Sequence, residues 1–159
     1  MGAIQHVWVR SRGVNLSVEV AMPPDQPDAP TVVLVHGYPD NSEVWKGVRD
    51  QLAKDFVVVT YDCRGAGQST APSSTKGYAL ARFVDDLVAV TDLVSPQQPF
   101  HLVGHDWGSV HSWESVTDDR LKGRIASFTS ISGPCLDHLA LWVRSKLSRP
   151  KPRNLWLLT

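Results

Sequence analysis

Gly104-His105-Asp106-Trp107-Gly108 sets a carboxylate between two glycines, where the apolar run "FHLV" gives way to a helix-like segment. A small-x-nucleophile-x-small turn between strand and helix lifts its central residue above the sheet. Asp106 would stand there at a helix N-terminus, whose partial positive charge favours the ionised form. A carboxylate is a weak nucleophile toward carbonyls but displaces leaving groups at saturated carbon. The product is an alkyl ester on the protein, which water must then split. Taken alone, the pentapeptide fits an aspartate N-cap at an ordinary strand-to-helix turn equally well.

Two further stretches bear on the choice. His36-Gly37-Tyr38-Pro39 follows the run "TVVLV". Its Tyr38-Pro39 bond is a candidate cis peptide, which X-Pro bonds tolerate in tight turns. His36 is expected to orient this loop rather than to react. "YDCRGAGQS", Tyr61 to Ser69, ends another strand. Gly65 and Gly67 allow sharp turns there, and Asp62, Arg64 and Ser69 are expected to bond the loop together.

The three motifs, in this order and spacing, resemble the α/β-hydrolase superfamily, and within it the epoxide hydrolase and haloalkane dehalogenase branch, from about Val18 to Gly133. The chain also resembles the hydrolase part of mycobacterial proteins in which an epoxide-hydrolase-like domain precedes a short-chain dehydrogenase domain. The resemblance implies that Asp106 is the nucleophile and that backbone N–H groups of Tyr38 and Trp107 form the oxyanion hole. His36, Gly37, Pro39, Gly104 and Gly108 then shape the loops. It implies a small-molecule epoxide and water as substrates, with no cofactor and no metal.

Haloalkane dehalogenases of this branch carry asparagine where Tyr38 stands, and fluoroacetate-type dehalogenases carry arginine where Trp107 stands. Epoxide opening is favoured on that basis, with dehalogenase-type hydrolysis the alternative. A non-catalytic association module is the rival from another class. A serine esterase is excluded because Ser109 lies outside the turn.

The resemblance also exposes gaps. The family's histidine base and its acid follow the cap, whereas after Asp106 only His111 and His138 occur. His111 is expected to point away from the nucleophile, and Asp118 and Asp119 to be the polar end of a helix. Tyr38, Tyr61 and Tyr78 all precede the elbow, so no cap tyrosine is expected. The expectation is a fragment truncated before the last strands: residues 1–133 as the N-terminal part of the core, residues 134–159 as the start of the cap. Such a piece would bind epoxide covalently but not turn over.

The elements that must position these groups are legible in the periodicity. Val14, Leu16, Val18 and Val20 alternate with polar residues, the mark of a strand with one buried face. With the segment before Ser11-Arg12-Gly13 it predicts an antiparallel hairpin. "TVVLV", "FVVVTY", "FHLV" and "IASFTSI" predict strands of a mostly parallel sheet covered by helices. A first helix follows Asn41-Ser42, either residue a possible N-cap. Leu80, Phe83, Val84, Leu87, Val88, Thr91 and Val94 form one helical stripe. The result is an α/β fold of hairpin followed by β-α-β-α-β-α-β.

Leu136, Leu139, Val143 and Leu147 outline a last helix whose end is basic, with Arg144, Lys146, Arg149, Lys151 and Arg153. The exposed last strand and this helix predict self-association. Formal net charge is zero over 159 residues, so no global field draws nucleic acid. No apolar run is long enough to span a bilayer. Cys63 and Cys135 stand alone without metal-type spacing and read as reduced thiols of a cytoplasmic protein.

Overall fold

The computed structural model describes residues 3–24, 26 and 28–147. Arg149, Lys151 and Arg153 of the basic tail lie outside the described residues. Strands β1 (Ile4–Ser11) and β2 (Val14–Ala21) form the hairpin, paired from Ile4 opposite Ala21 to Ser11 opposite Val14. Arg12 and Gly13 turn it with φ of 41° and 87°. Two positive φ values match the right-handed twist of a tight hairpin.

The other strands are β3 (Thr31–Val35), β4 (Val57–Tyr61), β5 (Phe100–His105) and β6 (Ile125–Ile131). The sheet order is β1-β2-β4-β3-β5-β6, with β2 antiparallel to β4 and the other non-hairpin pairs parallel. β3 is buried along its whole length because helices cover both faces. β6 closes the described sheet, and its outer side is largely exposed.

Asn41 caps the first helical segment: its side chain accepts from the Glu43 N–H at 3.0 Å. A short 3-10 turn (Ser42–Trp45) leads into α1 (Lys46–Leu52). α2 (Leu80–Val94) buries Val84, Asp86, Leu87, Val90 and Thr91. The buried stripe is thus rotated from the one the apolar residues outline, taking in Asp86 and Val90 and leaving Leu80 and Phe83 half-buried.

Asp86 is inside because Arg64 meets it in a two-pronged pair, Nε to Oδ2 at 2.7 Å and Nη2 to Oδ1 at 2.5 Å. This corrects the expectation for the loop after β4. Asp62 and Ser69 do bond within it, through Gln68 N–H to Asp62 and Ser69 Oγ to the Asp62 carbonyl. Arg64 instead ties the loop to α2. α3 (Trp107–Thr117) covers the sheet beside α2, and α4 (Leu136–Leu147) buries none of its residues. No described helix is long and apolar enough to cross a membrane.

Candidate active site

β5 ends at His105 and α3 begins at Trp107, so the whole strand-to-helix turn falls on Asp106. Its φ is 53° and its ψ −125°. A side chain in that region costs about 1–3 kcal/mol and persists only when its surroundings dictate it. They do. The Asp106 N–H donates to the Ile131 carbonyl at 2.9 Å, and its carbonyl accepts from Ser109 and Val110 at 3.0 and 3.1 Å. β6 and α3 together pin the turn.

The carboxylate reaches the loop after β3. The Tyr38 N–H donates to Asp106 Oδ1 at 3.0 Å. The backbone N–H groups of Trp107 and Tyr38 hold this carboxyl below the usual carboxylate range. Gly37 leaves the room this needs, since a Cβ there would overlap the Asp106 carboxylate. Gly108 likewise lets α3 cross β3, where a Cβ would overlap the Val35 and His36 carbonyls. At Gly104 a Cβ would lie 2.7 Å from Ser109 Cα. Tyr38-Pro39 is a cis peptide.

His36 is buried with both ring nitrogens engaged. Nδ1 donates to the Gly37 carbonyl and Nε2 accepts from the Cys63 N–H, each at 2.8 Å. Burial lowers its pKa, which suits this neutral tautomer. The ring joins the loops after β3 and β4.

His111 is turned into the interior, its ring stacked on Phe83 at 4.5 Å and 19°. Burial lowers its pKa to about 3, with help from charge on His36 and Arg64. Between about pH 6.5 and pH 3 the unfolded chain therefore binds a proton that the folded chain refuses. Stability should fall as pH drops through that window, by at most about 1.4 kcal/mol per pH unit from this residue. Urea midpoints across the window should show a shallower pH slope in His111→Phe than in the parent.

Two features have weak signals in sequence. The Gly133 carbonyl accepts from Ser109 Oγ, Ser130 Oγ and Trp113 Nε1 at 3.0, 2.9 and 3.1 Å. This knot fixes the chain leaving β6 against the elbow; its only trace is the turn-like Ser130-Ile131-Ser132-Gly133. The second is a cavity of about 620 Å³ beside the cradle, walled by Tyr38 and Trp107 and reaching Cys63, Phe83 and His111. A slightly larger hollow, about 680 Å³, includes Thr31 and Val57 at the opposite ends of the strands, away from Asp106. Asp118 accepts from Arg120 at the end of α3, as expected for a polar helix end. Among the described residues no cluster of three metal-ligating side chains occurs.

An elbow after β5 facing a donor loop after β3, on a mostly parallel sheet with this strand order, defines the class. Residues 30–156 match the family model described as alpha/beta hydrolase fold, and the chain belongs to that family. Its curated relatives include proteins named epoxide hydrolases. It is 49% identical over 129 residues to "Probable oxidoreductase EphD" of Mycobacterium tuberculosis, covering 80% of this chain and 22% of that protein. It is 34% identical over 137 residues to epoxide hydrolase A of the same organism, covering 86% and 41%.

Among solved structures, epoxide hydrolase VrEH1 from Vigna radiata superposes with a TM-score of 0.70 at 27% identity, over 79% of this chain and 38% of that one. An F128A epoxide hydrolase from Bacillus megaterium, complexed with its product (R)-3-[1]naphthyloxy-propane-1,2-diol, gives 0.71 at 26%, over 80% and 42%. The chain thus spans 22% to 41% of the length of these curated relatives.

Proposed function

We propose that this chain carries the nucleophilic half of an epoxide hydrolase. The observation that supports it best is the Tyr38 N–H donating to Asp106 Oδ1, with the neighbouring Trp107 N–H also favouring the charged carboxylate. With Oδ1 held, Oδ2 attacks an epoxide carbon; the ring C–O bond breaks and the opened alkoxide takes a proton from solvent. The resulting ester keeps its carbonyl oxygen at the Tyr38 and Trp107 donors. Water adds to that carbonyl, the negative charge forms where the donors already point, and the diol leaves as the carboxylate returns.

Ring opening needs only the carboxylate, but hydrolysis needs a base. His36 has both nitrogens engaged and His111 is buried against Phe83. Neither offers a base to a water at Asp106, so the chain by itself is read as alkylated once and then stalled. Intact mass spectrometry after incubation with styrene oxide tests this. One adduct mapping to Asp106 is expected; a folded sample with no adduct overturns the reading.

The cradle also fixes a mutational expectation. In Gly37→Ala the new methyl group displaces the carboxylate from its donors. Misplacement on the ångström scale costs about a hundredfold in rate, which adduct formation against time would measure.

The reading extends to organisation. Residues 1–133 are taken as core and α4 as the start of a cap, placed in the cytoplasm. The full-length protein is taken to carry a dehydrogenase domain; the name of the oxidoreductase relative supports this. Copies are taken to associate through the free edge of β6 or through α4, which exposes Leu139, Leu141 and Trp142. Sedimentation as a monomer would count against that association.

A further inference from the structure

The cavity beside Asp106 reaches groups that neither ring opening nor hydrolysis uses. Tyr38 and Trp107 belong to both places: their backbone N–H groups hold the carboxylate, and both residues wall the cavity. Tyr78, Leu80 and Phe83 continue an apolar wall inward to Cys63 and His111. At about 620 Å³ it lies within the roughly 300–1,000 Å³ range of small-molecule sites.

Asp40 and Asn41 lie at its outer rim, Asp40 exposed, and inside that rim the polar chemistry is narrow. Arg64, which also lines it, is spent on Asp86 and on the Gly77 and Arg82 carbonyls at 2.7 and 2.8 Å. The His111 ring has one hydrogen-bond partner among the described residues, Cys63 Sγ, 3.9 Å from Nε2. The other ring nitrogen has none. An imidazole kept neutral by burial presents no charge to an occupant. A charged group carried past that rim would stay unpaired at high cost, whereas an aromatic group with one hydroxyl, able to donate to the free ring nitrogen or accept from it, would be matched.

Building on the epoxide reading, we propose that this cavity receives the substrate's apolar arm and that His111 is a specificity residue, favouring aryl-sized arms that carry a hydroxyl.

The test uses the whole chain and two diols that cannot alkylate it, 3-phenoxypropane-1,2-diol and its 4-hydroxymethyl derivative. Titration is followed through NMR signals of the histidine rings. Both diols should shift His111 saturably, the hydroxymethyl compound binding about fivefold more tightly, the scale of one neutral hydrogen bond. In His111→Phe that preference should vanish while phenoxy binding persists. Leu80→Trp alters a half-buried position on α2 outside the cradle and narrows the cavity where the aryl arm would lie, so it should weaken both diols.

Diols that leave the His111 signals unmoved, or that bind Leu80→Trp undiminished, would overturn the proposal. The matching glycidyl ethers and propylene oxide give a separate readout at Asp106. Leu80→Trp should slow alkylation by the aryl ethers several-fold more than alkylation by propylene oxide, and equal slowing of both would overturn the proposal. Diol binding at His111 with no alkylation by any epoxide would overturn the epoxide reading on which the proposal rests.

Discussion

Asp106→Gly should lose all covalent labelling by epoxides and yet melt about 3 °C above the parent, the shift expected for about 1 kcal/mol in a chain of this size. Both effects come from one residue. The parent holds a side chain at φ 53°, ψ −125°, where glycine would sit without penalty. The two backbone donors that lose the carboxylate border the exposed side chains of Tyr38 and Trp107, so water can replace the lost acceptor. Asp106→Ala is the control: it removes the nucleophile and keeps the strain, and it should be equally unlabelled without the gain in melting temperature. Calorimetry beside intact mass measurement decides the matter. A glycine variant that melts well below the parent would mean that the cradle stabilises the fold, and the backbone strain would no longer point to chemistry.

That strain was partly legible in the residues. Flanking glycines around Asp106, after an apolar run and before a helix, mark a sharp turn whichever role the carboxylate has. The Tyr38 N–H that meets it comes from a loop 68 residues earlier, so only the second motif brought it into view. Asp86 was beyond reach for a physical reason. A carboxylate within an amphipathic helix reads as part of the solvent face, and its neutralising partner lies 22 residues away on another loop. The antiparallel pairing of β2 with β4 was hidden in the same way, since alternation marks a buried face and not the neighbouring strand. His111 was expected to point away from the nucleophile, but its stacking on Phe83 depends on how α2 and α3 pack. Periodicity within either helix does not contain that information.

The Arg64–Asp86 pair carries the largest expected cost in stability. Both side chains are about 1% exposed, and Arg64 also serves the Gly77 and Arg82 carbonyls. Arg64→Met would strand a buried carboxylate and take one donor away from each of two carbonyls. Breaking such a pair from one side costs about 3–5 kcal/mol, readable as a lower urea midpoint. Replacing both partners, as Arg64→Met with Asp86→Leu, removes the stranded charge and should recover most of the loss, because a buried pair gives back in attraction little more than its desolvation took. The two carbonyls remain underserved, so recovery should be incomplete. If the double variant is no more stable than the single one, Arg64 matters for those carbonyls and for its place over the Phe83 ring at 5.7 Å rather than for charge. The loop that walls the cavity beside Asp106 would then be held by backbone hydrogen bonding, and Asp86 would be interior only because Arg64 brought it there.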